Sequence, residues 1–256
     1  MKATRNIFLM SLAVVLTAGT AMADWNPGDP FKMHYPQLPD PNGWDVSFLN
    51  GPLGDDWQCT QTGPVNDIHM WVSFRGDIGP SPNAVVGGNI EIWDNVPAGV
   101  DGVNFSHPGQ PLWGMGFDTT MPNVTLRRYG QGEQGWIEPP DQFFPSDHFN
   151  FYQININVDP AAIAPFFQKK GEIYWLVSHL FVDDPTSPVP PQIGWKTSRD
   201  HFMDDAVFAS PVFPGWSPLT DPFTGETLDL AFVITPEPAT VALLALGGLL
   251  MLRRRS

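Results

Sequence analysis

The chain has 256 residues, of which 42% are hydrophobic, and it contains 28 prolines and 24 glycines. This hydrophobic content excludes a disordered protein, and the frequency of proline and glycine excludes a mainly helical one. The net charge of -14 excludes nucleic acid and anionic lipid as expected partners, because a strongly acidic surface repels both. Cys59 is the only cysteine, so no internal disulfide can form, and we expect a buried, unreactive thiol.

The N-terminus has the pattern of a bacterial signal peptide over residues 1–23. Lys2 and Arg5 precede an apolar run at 7–16, which is the order of regions that Sec-type export requires. The predicted cleavage site consists of Ala21, Ala23 and Asp24. The alternative, an uncleaved membrane anchor, would need a longer apolar segment.

The body, residues 24–235, is predicted to be all-β and to form one domain. Alternating or continuous apolar patterns predict strands over 67–75, 89–96, 124–129, 136–137, 152–158, 172–182, 193–197, 206–209 and 228–235. Residues 25–64 and 97–116 are rich in turn-forming residues and are expected to be irregular, and 160–168 is the one helical candidate. About eight to ten short strands separated by turns predict a single jelly-roll-like β-sandwich.

Two tryptophans are candidates for a glycan-binding face. Trp71 and Trp93 lie on the faces of their strands opposite the apolar residues. Aromatic rings in such positions either stack on the C–H faces of sugars or pack beneath a second layer of the protein. The sequence leaves both alternatives open.

A structural calcium ion is a further possibility. The candidate ligands are Asp55, Asp56, Asp204 and Asp205, since calcium prefers carboxylate and carbonyl oxygens. However, adjacent aspartates on a strand point to opposite faces, and no EF-hand loop is present, so the alternative is that these are turn and surface acids.

No catalytic motif is recognisable. The six histidines are scattered without the spacing of a zinc site, and no Gly-x-Ser-x-Gly elbow occurs. We therefore predict no catalytic residues and no required cofactor. A hydrolase whose site assembles only in three dimensions remains an alternative.

The C-terminus, residues 236–256, combines three features in a fixed order. Pro236-Glu237-Pro238 is followed by an apolar run over 239–252 and then by Arg253, Arg254 and Arg255. A run of this length spans roughly 21 Å as a helix, which is short of a hydrocarbon core of about 30 Å, and the arginines favour the cytoplasmic side. A plain tail anchor is the alternative interpretation.

This tail resembles the PEP-CTERM sorting signal of Gram-negative bacteria. The resemblance implies transient anchoring in the inner membrane, recognition by an exosortase, and cleavage near Pro236 to Pro238. It also implies an association with exopolysaccharide and biofilm. The body resembles an uncharacterised ectodomain family that carries the same tail; the similar segments are 41–45, 55–59, 67–71, 173–176, 194–197 and 204–207.

Together these features predict an exported surface or matrix protein without enzymatic activity. The first alternative is a carbohydrate-binding module acting in extracellular polysaccharide. The second is the hydrolase with a site not visible in sequence. Exposed aromatic rings beside Asp or Asn would favour the carbohydrate-binding module, and a pocket with converging histidines and carboxylates would favour the hydrolase.

Overall fold

The computed structural model describes residues 24–209 and 215–235. These residues form fourteen β-strands and one short 3-10 turn, Arg75–Asp77. The strands are β1 Trp44–Ser47, β2 Leu53–Gln58, β3 Gly63–Val65, β4 Asp67–Phe74, β5 Val85–Val96, β6 His107–Asp118, β7 Val124–Glu138, β8 Gln142–Asn157, β9 Phe166–Gln168, β10 Ile173–Asp183, β11 Ile193–Lys196, β12 Val207–Ala209, β13 Trp216–Pro218 and β14 Phe232–Thr235. The all-β prediction is confirmed.

The strands form two six-stranded sheets and one two-stranded sheet. The first sheet has the order β11-β1-β7-β8-β4-β14, the second has the order β13-β12-β2-β10-β5-β6, and β3 pairs with β9. Side chains from both large sheets meet in one hydrophobic cluster, as Met70 of β4, Ile92 of β5 and Leu176 of β10 illustrate. Burial of such side chains is the main stabilising contribution in a chain without disulfides.

Five strands of the first sheet close into a ring. β11 pairs with β1 on one side and with β4 on the other, while β7 and β8 connect β1 to β4. Within this ring, Asp45 lies opposite both Lys196 of β11 and Trp136 of β7. The ring closure buries one face of these strands. In an open sheet, that face would be exposed.

Several sequence-based expectations are wrong in detail. The segment 160–168 is not helical: it contains a turn at 160–162 and then β9, which pairs with β3. Residues 97–116 are not wholly irregular, since β6 begins at His107. Its prolines are tolerated because β6 is an edge strand.

Two further differences concern strands that the sequence analysis divided or missed. The predicted strands 124–129 and 136–137 are parts of the single strand β7. Residues 25–64 contain β1, β2 and β3. β1 and β2 carry Asp45, Asp55 and Asp56, and these buried carboxyls hide the apolar pattern that normally identifies a strand.

Candidate functional site

Trp71 is not available to a ligand. Its side chain is 0% exposed, and it packs edge-on against Trp25 at 5.9 Å and against Tyr129 at 5.3 Å between ring centroids. β4 was expected to be buried on one face only, but the ring closure and the N-terminal segment around Trp25 cover its second face. The expectation that Trp71 contributes to a glycan-binding face is therefore wrong.

Trp93 belongs to a second hydrophobic layer. Its half-buried ring packs edge-on against Trp216 at 6.0 Å, and its Nε1 donates to Glu91 at 2.7 Å. The neighbouring buried residues are Trp175, Val177 and Val207. Of the two alternatives for this residue, the structure shows the packed one.

The four candidate calcium ligands are not equivalent. Asp55 and Asp56 are buried at the middle of β2, whereas Asp204 and Asp205 are half-buried in the segment before β12. Within residues 24–209 and 215–235, no three His, Cys, Asp or Glu side chains are arranged to hold a metal ion. Asp55 and Asp56 instead form a buried acidic cluster with Asp229, which the sequence analysis did not identify.

The hydrogen bonds found for this acidic cluster come from neutral donors. Asp55 accepts hydrogen bonds from the side-chain amide of Gln37 at 2.9 Å and from the backbone N–H of Leu230 at 2.6 Å. Asp229 accepts one from the backbone N–H of Phe202 at 2.6 Å, and the half-exposed imidazole of His201 lies 3.7 Å from its Oδ1. Among the described residues, Oδ1 of the buried Asp56 has no hydrogen-bond partner.

The pKa values of the acidic cluster are raised. Burial disfavours the charged form of Asp55, and the charges of Asp229 and Asp56 raise its pKa further. Burial and the charge of Asp229 likewise raise the pKa of Asp56. Burial raises the pKa of Asp229 to about 7. The cluster therefore binds protons more readily than ordinary aspartates, but its side chains are out of reach of a substrate.

Cys59 and Asp24 are the remaining candidate residues in the described part of the chain. Cys59 is buried, and burial raises the pKa of its thiol, which favours the unreactive form as expected. Asp24 is exposed and bonds to Asn155 and Arg127. The other residues of the predicted cleavage site and the whole sorting tail lie outside the described residues. In the part of the chain that is described, no helix has the length and apolar character of a membrane span.

A cleft beside Trp44 has a volume of about 420 Å³. We call it the Trp44 cleft. It lies between the start of β1, the middle of the β7–β8 hairpin and the loop 221–224. The side chains that line it are Asn42, Trp44, Glu133, Gln134, Pro145, Ser146, Asp221, Phe223 and Thr224.

Two aromatic residues, Trp44 and Phe223, line this cleft, and Phe143 packs against both of them beside it. The ring of Trp44 lies 5.7 Å from that of Phe223 and 6.2 Å from that of Phe143, and the two phenylalanine rings are 5.3 Å apart. Phe223 is 66% exposed and Phe143 is 41% exposed. These two rings are in contact and form one exposed apolar patch beside Trp44, and contiguous patches of this kind are a mark of binding sites.

Trp44 is fixed in position from two sides. Its indole Nε1 donates to Asp221 Oδ2 at 2.7 Å. Its ring lies against the backbone of Gly135, where a Cβ would come within 2.2 Å of two ring carbons. Only glycine allows this close approach.

The loop 221–224 is organised by the same carboxylate. Asp221 Oδ1 accepts hydrogen bonds from the backbone N–H groups of Phe223 at 2.8 Å and Thr224 at 2.9 Å. This is an Asx-turn, which shapes a loop through one side chain. Asp221 therefore fixes both the Trp44 ring and the loop that carries Phe223.

Beneath the cleft lies a buried ionic cluster of Asp45, His148 and Lys196. Lys196 Nζ donates to Asp45 Oδ2 at 3.1 Å and to the carbonyl oxygen of Trp44 at 3.2 Å. His148 Nε2 lies 3.0 Å from Asp45 Oδ2, and its Nδ1 lies 3.0 Å from Asp147. The ionic cluster thus ties the backbone of Trp44 to β11.

The charges in this cluster compensate one another. Burial alone would raise the pKa of Asp45, but Lys196 and His148 outweigh that effect and lower it. Burial lowers the pKa of His148, but the hydrogen bond and charge of Asp45 outweigh it, so the pKa is raised. Both shifts favour the charged forms, whereas burial lowers the pKa of Lys196 and outweighs the opposing effect of Asp45.

Of this site, the sequence drew attention only to segment 41–45, which contains Trp44, and to neither Asp221 nor Phe223. The run Asp-Pro-Phe-Thr-Gly at 221–225 is typical of a turn, but no local pattern connects that turn to Trp44. The link is a long-range contact between residues that are 177 positions apart in the chain.

The fold and site define an all-β domain with an aromatic and acidic surface cleft. The family model for "Domain of unknown function (DUF7901)" matches residues 33–235, so the chain belongs to this family. No curated protein and no solved structure matches the chain. The expectation that the body belongs to an uncharacterised family agrees with this match, which ends before the predicted sorting tail.

Proposed function

We propose that this protein is an exported, non-enzymatic surface or matrix protein that is sorted through residues 236–256. Export by Sec-type machinery is supported by the signal-peptide pattern of residues 1–23. Transient anchoring in the inner membrane and processing by an exosortase are supported by Pro236-Glu237-Pro238, the apolar run and the terminal arginines. The proposal includes a jelly-roll-like β-sandwich as the scaffold, supported by the shared hydrophobic cluster of the two large sheets.

We further propose that the body binds glycans at the Trp44 cleft. The observation that carries this proposal is the exposed ring of Phe223, which lines a concave site and packs on Trp44, with the exposed ring of Phe143 beside it. Exposed aromatic faces stack on the C–H faces of sugar rings, and carboxylates, amides and hydroxyls bond sugar hydroxyls. Glu133, Asn42 and Ser146 supply such polar groups at the same site. Extracellular polysaccharide is the partner that fits the proposed location.

A hydrolase is less well supported. A glycosidase needs one carboxyl that is held protonated, beside a second that is ionised. Burial raises the pKa of Asp221, but bonds from Thr224, Trp44 and Phe223 outweigh that effect and lower it. Asp221 is therefore poorly suited to donate a proton. The carboxyls with raised pKa values, in the acidic cluster, are buried away from the cleft.

The sorting proposal predicts a processing defect. Replacement of Pro236-Glu237-Pro238 by three alanines should leave the protein in the membrane fraction, because the processing site is lost. Fractionation of producing cells and mass measurement of the released protein provide the readout. Release of a processed chain from this variant at the parental level would contradict the proposal.

The glycan proposal predicts a loss of binding on removal of one exposed ring. The full chain should bind a subset of oligosaccharides on a glycan array, and Phe223→Ala should weaken that binding by about tenfold or more. Phe167→Ala is the matched control, since Phe167 is equally exposed, at 60%, but lies on β9 outside the cleft. Equal binding by both variants, or no binding by the parent chain, would contradict the proposal.

A further inference from the structure

We infer that the Trp44 cleft selects glycans that carry free, protonated amines over acetylated glycans and uronic acids. This inference rests on the proposed glycan-binding function and adds the chemical class of the ligand. It is carried by the charge and geometry of the cleft.

The charged side chains that line the cleft are both acidic. Of the described residues that line the cleft, Glu133 and Asp221 are the charged ones, and none is a lysine or an arginine. Among the described residues, neither carboxylate lies within 4.0 Å of a basic nitrogen. The nearby Lys196 is completely buried, and its ammonium group already bonds Asp45 and the Trp44 carbonyl. The cleft therefore presents two carboxylates that no cation of the described chain neutralises.

These carboxylates differ in role. Asp221 is fixed by its three hydrogen bonds from Trp44, Phe223 and Thr224, and it remains negative beside the aromatic lining. Glu133 is exposed and accepts a hydrogen bond from the hydroxyl of Ser146 through Oε1. Glu133 is thus oriented by a neighbour yet remains accessible to a ligand.

The aromatic lining of the cleft also favours a cation. The face of an aromatic ring carries a negative electrostatic potential, so an ammonium group near it is attracted in addition to any ion pair. The exposed ring of Phe223 directly follows the Asp221-Pro222 step in the loop. An amino sugar can place its C–H face on this ring and its ammonium group near a carboxylate at the same time.

The same arrangement discriminates against other glycans. A uronic acid brings a carboxylate into a cleft that already holds two, and like charges in a partly dehydrated site repel. An acetylated amino sugar loses the charge but keeps its hydroxyls, which Asn42, Ser146 and Thr224 can still bond. The expected order of affinity is free amine, then acetylated amine, then uronic acid.

The test compares three oligosaccharides of equal length by calorimetric titration of the full chain. The probes are hexamers of β-1,4-linked glucosamine, of N-acetylglucosamine and of a uronic acid, used at a pH at which the amines are protonated. We expect the glucosamine hexamer to bind about tenfold more tightly than the acetylated hexamer, with a preference that decreases as salt is added. The uronic acid hexamer should not bind measurably.

Two variants locate the effect in the cleft. Glu133→Gln keeps the shape and the acceptor for Ser146 but removes the charge, so it should weaken binding of the glucosamine hexamer several-fold more than that of the acetylated hexamer. Asp141→Asn is the control, because Asp141 is an exposed acid at the turn of the same hairpin and does not line the cleft. Asp141→Asn should leave the preference unchanged.

The outcomes separate this inference from the proposed function. Equal affinity for the two amino-sugar hexamers, or a preference for the uronic acid, would overturn the inference and leave glycan binding in place. An equal loss in both variants would also overturn it, because the net charge rather than the cleft would then be responsible. Binding of none of the three hexamers, together with a blank glycan array, would overturn the inference and the proposed function together.

Discussion

Two buried clusters of ionisable side chains occupy different parts of this protein, and they are built on opposite principles. The ionic cluster places two basic side chains, His148 and Lys196, on the one carboxylate of Asp45, and Asp147 contacts the other nitrogen of His148. The acidic cluster of Asp55, Asp56 and Asp229 contains three carboxyls, and the hydrogen bonds found for Asp55 and Asp229 come from neutral donors. All six side chains that make up the two clusters are nearly inaccessible to solvent.

The two clusters show two ways in which a protein can bury ionisable side chains. In the ionic cluster, the cations keep the carboxylate charged, and the resulting bonds fix the backbone of Trp44 under the cleft. In the acidic cluster, the carboxyls avoid the cost of burial by binding protons, which makes the folded state sensitive to pH. The ionic cluster positions the candidate site, and the acidic cluster makes the stability of the folded state depend on pH.

The largest expected effect comes from breaking the ionic cluster. Lys196→Met removes the cation but leaves Asp45 buried, and we expect a loss of about 3–5 kcal/mol in the free energy of unfolding. Urea denaturation followed by tryptophan fluorescence measures this loss. Lys170→Met is the control, since Lys170 is exposed and should change stability by less than about 0.5 kcal/mol. A loss for Lys196→Met as small as that of the control would mean that Asp45 does not depend on Lys196.

The next largest effect concerns the pH dependence of the acidic cluster. The pKa of Asp229 is raised from 3.8 to about 7 in the folded state. Its contribution to stability is therefore complete below about pH 4 and is lost as the pH rises through about 7. Asp229→Asn replaces the carboxyl by a neutral amide, which does not ionise as the pH rises. This variant should therefore have a free energy of unfolding at pH 8 that exceeds that of the parent protein by roughly 2–4 kcal/mol.

The difference for Asp229→Asn should shrink towards pH 4, where the parent carboxyl is protonated as well. Urea denaturation at pH 5 and pH 8 measures both values, and Asp141→Asn serves as an exposed control. The prediction would be contradicted if the free energy of unfolding of the parent protein rose between pH 5 and pH 8 and if Asp229→Asn lowered it at both pH values. Such a result would show that the carboxyl of Asp229 is charged in the folded state.

The smallest of the three effects tests whether the position of the Trp44 ring shapes the cleft. Gly135→Ala places a methyl group within 2.2 Å of the Trp44 ring, and we expect a loss of about 1–3 kcal/mol together with weaker glycan binding. Gly116→Ala is the control, because the nearest atom to its new methyl group is 3.8 Å away. Full retention of binding in Gly135→Ala would show that the position of Trp44 does not shape the site.

The sequence predicted those strands whose apolar pattern is clear. β4, β10 and β11 lie where alternation or continuous apolar runs placed them, whereas the predicted segments 89–96 and 152–158 cover only the C-terminal parts of β5 and β8. β2 was missed because its centre is Asp55-Asp56, and it is an interior strand only because β10 and β12 pair with it on either side. β6 was missed because its prolines and glycines are typical of loops, whereas an edge strand accepts them.

The candidate site was largely invisible in the sequence. Alternation placed Trp71 on the face opposite the apolar residues of β4, but that face is covered by Trp25, which lies 46 positions earlier in the chain. Local periodicity describes the two faces of a strand and carries no information about what covers them. The prediction therefore failed for Trp71, and it gave no reason to connect Trp44 with Phe223.

The sequence by itself determined the all-β class, the burial of Cys59 and the main strands, because these follow from composition and from the two-residue period of a strand. Only the tertiary structure decided which acids are paired with cations and which rings remain exposed. Asp45 meets Lys196 across 151 residues, and Trp44 meets Asp221 across 177. Such contacts depend on the pairing of distant strands and on ring closure, which local sequence patterns do not encode.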